Sequence, residues 1–339
     1  MKKRTITTKL LLIALLLGLV LAACSSANTE ETANTAVTNT TTANTANPEP
    51  EPTSPPAPEP EPITLTDALG NVVTLAEPAR RIISLAPSNT EILFAVGAGA
   101  QLVGRDAFSD YPEAAQAAAD IGGGYSQLDM ETILALEPDL ILAADITPPE
   151  QIQALTDVGL TVFTVGNPLE FAAMYDNLRI VAQLTGHEAE TEQLITALAA
   201  RVTAVTDKVT TATATPLVFY ELDSTEPNAP WTSGPGTFVE MLINMAGGQN
   251  VGSVLDSPWA QISIEELITQ DPDVIVLGDA TWGGVTAEDV AARASWKSLT
   301  AVQNGRVYPF DDNLVSRPGP RIVDGLEAMA RLLHPDLFE

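Results

Sequence analysis

From His187 to Ala212 the chain reads HEAETEQLITALAARVTAVTDKVTTA, with neither glycine nor proline. Leu194, Leu198, Val202, Val205 and Val209 recur in it at spacings of three and four, which predicts a helix with one apolar stripe. At about 1.5 Å per residue such a helix is roughly 35–40 Å long, the width of a small domain. A helix of that length belongs to a bundle or joins two bodies. The sequences before and after it resemble each other, so we read it as one helix joining two similar lobes.

In the first half, Ile63–Ala76 alternates about a turn at Asp67–Asn71 and predicts a hairpin. A short apolar strand at Ile82–Leu85 follows, then Ser88-Asn89-Thr90-Glu91, which has the spacing of a capping box. Leu102-Val103-Gly104 predicts the next strand, and Asp129 caps a helix that runs through Pro138-Asp139 into the strand Leu140–Ala143. A helix at Pro149–Val158 and a strand at Leu160–Val165 complete the alternation, which implies a parallel sheet. After the long helix the pattern restarts with the strand Pro216–Leu222 and a second capping box, Thr237 with Glu240. Asn250-Val251-Gly252 echoes the earlier Leu-Val-Gly strand, and Ser263 with Glu266 gives a third box. The stretches ETILALEPDLIL (131–142) and EELITQDPDVIV (265–276) share a glutamate at the helix start, a Pro-Asp and a strand at equal spacing. A strand at Arg306–Phe310 and a helix from about Pro320 to Leu333 close the chain. Matched landmarks in one order predict a two-lobe pseudo-repeat, with the ligand in the cleft between the lobes.

The amino terminus predicts export. Lys2, Lys3, Arg4 and Lys9 flank an apolar run from Leu10 to Ala23, too short to be favoured as a membrane span. Leu21-Ala22-Ala23-Cys24 resembles the lipoprotein box, so residues 1–23 are read as a signal peptide and Cys24 as the lipidated first residue. Cys24 is the only cysteine, which excludes an intramolecular disulfide. Four of the 16 basic residues precede it, leaving 12 against 44 acidic ones, a net charge of −32. That surface repels nucleic acid and anionic headgroups, so the lipid must supply the attachment. Residues 24–62, Thr/Asn-rich and then PEPEPTSPPAPEPEP, form a tether stiffened by proline and charge. The lobes are then expected at 63–186 and 213–339, on either side of the helix at 187–212.

Several chemistries lack their residues. The only histidines, His187 and His334, stand at a helix start and in the carboxy-terminal tail, which argues against a nitrogen–sulfur metal site and leaves no resident cofactor expected. There is no Gly-x-Ser-x-Gly elbow, and Gly122–Gly124 lacks the Gly-Lys-Ser/Thr ending of a phosphate loop. What remains is a set of aromatic residues in connections framed by Pro, Gly and polar residues: Tyr111, Tyr125, Trp231 and Trp259. Such connections face the crevice of a parallel sheet and suit stacking on a flat or apolar ligand. The other reading is that each plugs the lid of its own lobe. Arg317, a few residues after Asn313, either meets a ligand or pairs with a neighbouring aspartate.

The runs RIISLAPSNTEILFAVGAGAQLVG and SDYP, the Pro-Asp helix–strand segment, PWTSG, SPWAQIS and PGPRIVDGLEAMARLLHP together resemble the iron-siderophore and cobalamin binding proteins of ABC importers. The likeness spans about Ile63 to Phe338. It implies an α/β fold of two Rossmann-like lobes bridged by one rigid helix (the helical-backbone class III periplasmic binding proteins). It also implies a monomer that delivers a metal chelate to an ABC permease dimer and no enzymatic turnover. Within the family, the cobalamin-binding branch matches best. That assigns Tyr111, Tyr125, Trp231, Trp259, Asn313 and Arg317 to the ligand, and Glu131 and Glu265 to arginines on the two permease subunits. Tyr125 stands where that branch has tryptophan, and Asp311–Val315 lacks its aromatic residues. A ferric siderophore or a haem is the alternative ligand, the haem with a tyrosine as axial ligand. An enzyme on this scaffold would turn a substrate over, and an adhesion lipoprotein would show no saturable small-molecule binding.

Overall fold

The structure is a computed structural model that describes residues 61–124 and 126–338; Cys24, the tether up to residue 60 and Tyr125 lie outside the described residues. The apolar alternation at its start folds as the expected hairpin, β1 (Ile63–Thr66) antiparallel to β2 (Val72–Leu75). Asp67 closes the turn by accepting from the Leu69 and Asn71 backbone N–H groups at 3.0 and 2.7 Å.

The first α/β unit comprises β3 (Ile82–Ser84), α1 (Pro87–Ala95), β4 (Leu102–Arg105), β5 (Ala119–Asp120), α2 (Met130–Ala135), β6 (Leu140–Ala144), α3 (Pro149–Asp157), β7 (Val162–Val165) and α4 (Phe171–Thr185). Then comes α5 (Glu188–Val209). The second unit comprises β8 (Leu217–Glu221), β9 (Trp231–Ser233), α6 (Phe238–Met245), β10 (Gln249–Asn250), β11 (Trp259–Gln261), α7 (Ile264–Gln270) and β12 (Val274–Leu277). It ends with α8 (Ala280–Gly283), α9 (Ala287–Ala292), α10 (Thr300–Gln303), β13 (Val307–Pro309) and α11 (Ile322–Leu333).

The two main sheets are all-parallel, in the orders β5-β4-β3-β6-β7 and β10-β8-β12-β13. In each, the unit's first strand lies in the interior of the sheet, with its successors β4 or β10 on one side and β6 or β12 on the other. The matched sequence stretches explain why. Asp139 accepts from the Arg80 and Arg81 N–H groups at 2.8 and 3.0 Å, and Asp273 accepts from Leu217 N–H at 2.8 Å. Each Pro-Asp therefore clamps the entrance of its central strand. The residue before each of these prolines, Glu137 or Asp271, has a positive φ (47° and 50°) that ordinarily disfavours side-chain-bearing residues by about 1–2 kcal/mol. The same strained step at the same place in both units supports a true repeat.

The helix α5 packs on α4 and on α11. Ile195, Leu198 and Val205 are buried in one core cluster that also takes in Leu178 of α4 and Leu326 of α11. Ion pairs fix it on both sides: Arg179–Glu192 at 2.7 Å toward α4, and Arg201 with Asp324 and Glu327 toward α11. It ends three residues before the expected Ala212. There the Thr210 and Thr211 hydroxyls donate to the Asp207 and Lys208 carbonyls, local bonds that compete with further helix.

Other expectations need correction. No capping box forms at Ser88. Pro87, which needs no N–H partner in a first turn, starts α1 two residues earlier than a Ser88 cap would, behind an Ala86 N-cap without a side-chain bond. Glu91 is thereby released for another role. Thr237 and Ser263 do cap their helices, but Glu240 accepts from Gly236 N–H and Glu266 from Gln270, so neither box closes. The strand expected at Asn250–Gly252 is only the two-residue β10 before a 3-10 turn. The helix α4 was not anticipated. Its start has no side-chain cap, although Phe171, Met174, Leu178, Val181 and Thr185 make a buried stripe of helical spacing.

Candidate functional site

The carboxyl ends of the two parallel sheets carry the candidate residues, and the rims touch directly. Arg317, following β13, donates from Nη1 to Asp110 Oδ1 at 2.6 Å across to the loop after β4, and lies 3.5 Å from Glu91 Oε1 of α1. Arg321 makes a two-pronged bond to the same Glu91, at 2.8 and 2.5 Å. Glu91 is 1% exposed, and the two arginines are 12% and 15% exposed. Arg317 is thus paired, with an aspartate 207 residues away rather than a neighbouring one. It is half of a clasp between the lobes. Burial works against the charge on Asp110, but the Arg317 hydrogen bond and charge outweigh it and hold the carboxyl below its usual range. Glu91 likewise raises the pKa of Arg321.

The clasp reaches the aromatic residues. The Arg321 guanidinium lies 3.8 Å over the Tyr111 ring, while Tyr111 stays 46% exposed. The loop that carries Tyr111 is anchored from its own side too. Ser84, Thr90, Ser109 and Asp106 form a buried hydrogen-bonded chain, and Asp106 also accepts from Phe108 N–H at 2.8 Å. Desolvation raises the Asp106 pKa.

On the opposite rim, Trp231 and Trp259 are not on loops. They lie on β9 and β11, an antiparallel ribbon in which Trp231 faces Gln261 and Trp259 faces Ser233. Residues directly opposite share a face, so both indoles leave the same face as a diagonal pair. They are 41% and 38% exposed, and Trp259 leans on Phe238 with ring centroids 5.6 Å apart. The ribbon continues from β8 through a bridge between Asp223 and Trp231. Gly234 lets it seat closely, since a Cβ there would meet the Ser257 carbonyl oxygen at 2.1 Å. Beneath it, Arg293 forks onto buried Glu221 at 2.5 and 3.0 Å, and Ser224 donates to Asp279 at 2.6 Å. Burial pushes the Glu221 and Asp279 carboxyls up.

Asn313 is engaged locally, its Nδ2 donating to Asp311 at 2.9 Å. Sequence reasoning missed Trp282, which is 59% exposed on α8, at the carboxyl end of β12. The neighbouring Thr281 hydroxyl donates to the Phe310 carbonyl at 3.2 Å, placing Trp282 beside the segment that leads to Arg317. Its signal was its position just beyond a buried strand, not a Pro-framed loop. Trp296, by contrast, is wholly buried against Phe219. His187 stands at the start of α5 and His334 at the end of α11, away from this rim. Glu131 and Glu265 are exposed, each in the first turn of its helix. Among the described residues no helix is long and apolar enough to cross a membrane.

Comparison with known proteins gives consistent likenesses. The sequence pattern of the periplasmic binding protein family matches residues 82–314. An ABC transporter substrate-binding lipoprotein of Bacillus subtilis, YvrC, is 31% identical over 81% of this chain and 86% of its own length. A protein of Halobacterium salinarum named as cobalamin-binding is 31% identical over 79% of this chain and 73% of its own. Among solved structures, the periplasmic haem-binding protein RhuT of Roseiflexus superposes with a TM-score of 0.68 at 26% identity, covering 76% of this chain and 99% of that one.

Proposed function

The chain belongs to the periplasmic binding protein family, and from that premise we propose that it is the lipid-anchored, extracytoplasmic substrate-binding protein of an ABC importer, taking a corrinoid in the cleft between its lobes and handing it to the permease. The lobes are those at 63–186 and 213–339, and the protein acts as a monomer. The observation that carries the reading is the rim itself: exposed Tyr111, Trp231 and Trp259 beside arginines that are already paired. Arg293, Arg317 and Arg321 are all bonded to carboxylates, and Asp223, Asp311 and Asp312 add negative charge. Such a rim stacks on a flat ligand and meets peripheral amides, but it repels carboxylates. A corrinoid with neutral amides fits it better than a haem, whose propionates would find acidic neighbours. A relative named for cobalamin supports the same choice.

The test is a titration of the isolated protein with cyanocobalamin, cobinamide, haem and a ferric hydroxamate, followed by tryptophan fluorescence. Saturable quenching by the two corrinoids is expected. Saturation by haem or the hydroxamate alone would overturn the corrinoid assignment. Stacking on an aromatic side chain is worth about 1–3 kcal/mol per ring system, so Trp231→Ala should weaken corrinoid binding roughly ten- to a hundredfold. An unchanged Kd would remove the ribbon from the site.

The membrane anchor has its own test. A Cys24→Ser protein should leave the membrane fraction, or persist as an unprocessed precursor, with its ligand affinity unchanged. Correct processing with undiminished membrane attachment would exclude lipidation at Cys24.

A further inference from the structure

The exposed indoles of the second unit do not stop at the ribbon. In the sheet order β10-β8-β12-β13, β12 lies between β8 and β13. Its carboxyl end therefore lies between the strand ends that lead to the tryptophan ribbon and to the Arg317 segment. Trp282 stands there on the four-residue helix α8, and at 59% exposed it is more open than Trp231 or Trp259. One exposed apolar side chain needs no explanation on any protein surface. What sets Trp282 apart is how its short helix is held. The Ser224 N–H and hydroxyl donate to Asp279 at 3.1 and 2.6 Å, and Asp279 is the residue that opens α8. Ser224 follows Asp223, whose carbonyl accepts from Trp231 N–H at 2.8 Å. Arg293 ties the same corner, donating to the Ser224 hydroxyl at 2.8 Å while it forks onto Glu221. Two short links thus separate the backbone of Trp231 from the start of α8. On the other side, Thr281 bonds to the Phe310 carbonyl, at the head of the segment that leads to Arg317. Gly284, with a φ of 68°, ends the helix in the left-handed conformation that glycine takes without strain. The indole is open while its backbone is fixed, so little backbone order is left to lose when a ligand meets it.

We propose that Trp282 is a further ligand-contacting residue, which carries the stacking surface from Trp231 across the middle of the rim toward Arg317. Neighbouring strands lie about 4.8 Å apart, so β8 and β13 are separated by roughly 10 Å across β12. A broad flat macrocycle spans that distance and meets Trp231 and Trp282 together. A compact hydroxamate chelate offers no flat face of that width. The inference rests on the corrinoid reading above and deepens it, by naming a residue that selects for the breadth of the ring.

Two measurements test it. Trp282→Ala should weaken binding of both cyanocobalamin and cobinamide by at least about fivefold, and Trp282→Phe, which keeps a ring, should recover most of the loss. The Tm of the unliganded protein should stay within about 2 °C, because this indole fills no core. Hydroxyl-radical footprinting of the full chain reads the contact itself. Saturating cyanocobalamin should lower oxidation of Trp282 at least about threefold relative to Val72, which is 69% exposed on the hairpin strand β2. An unchanged Kd in Trp282→Ala, a lost affinity that comes with a lowered Tm, or undiminished oxidation of Trp282 would each overturn the proposal. If the wild-type protein saturates with haem or the hydroxamate instead of a corrinoid, the ligand assignment fails, and the same footprint with that ligand decides whether Trp282 meets it.

Discussion

Cells carrying Glu131→Arg together with Glu265→Arg should lose uptake altogether, while ligand binding by the isolated protein stays within about twofold, because exposed charges contribute little one at a time. A local duty exists for each glutamate: a carboxylate in a first helical turn gains about 0.3–1 kcal/mol from the helix dipole. That duty is already shared. Asp129 caps α2 through the Thr132 N–H and hydroxyl, which lower its pKa, and Ser263 caps α7 through Glu266 N–H. Losing either glutamate therefore leaves both helices capped and costs little stability. Docking responds differently. On the docking role that the family resemblance implies, reversal presents arginine to arginine at both contacts at once, and like-charge juxtaposition across an interface costs several kcal/mol. Either single reversal keeps one correct contact and should retain partial uptake. Intact uptake in the double variant would return both residues to helix-start duty.

The parts of this molecule that were legible in the sequence are those fixed by local periodicity. The stripe from Leu194 to Val209 shows α5 because a helix repeats within four residues, and the two Pro-Asp stretches show the repeat because each clamp lies beside the strand it enters. The clasp was hidden for the opposite reason. Arg317 and Asp110 are 207 residues apart, and Arg321 and Glu91 are 230 apart, so no spacing rule connects them. Glu91 was also disguised, since three residues after a serine it has the spacing of a capping glutamate. The signal against that reading was Pro87, which suits a first helical turn and moves the helix start past Ser88. Trp231 and Trp259 were legible as ligand candidates, but not as one surface, because two three-residue strands lack the length to show alternation.

The loss of Glu91 should be the most damaging single change to the stability of the unliganded protein. Glu91→Ala leaves Arg321 without its carboxylate and Arg317 with Asp110 alone, in a site where both arginines are largely covered. Removing one member of a buried ion pair costs about 3–5 kcal/mol, which for a chain of this size lowers Tm by on the order of 10 °C. Thermal unfolding without ligand measures it, and a fall of less than about 2 °C would mean that the clasp carries little load. Most of that cost is the stranded charge rather than the lost attraction. Glu91→Leu with Arg321→Met should therefore recover most of the Tm, because an apolar replacement of both partners removes the desolvation penalty along with the pair. Affinity should not recover with it. In the double variant Tyr111 has lost the guanidinium that lies 3.8 Å over its ring, and a cation–π contact of about 1 kcal/mol corresponds to a roughly three- to tenfold weaker Kd. A restored Tm with a still-weakened Kd separates the two duties of Arg321, holding the lobes together and setting the Tyr111 ring that we propose meets the ligand.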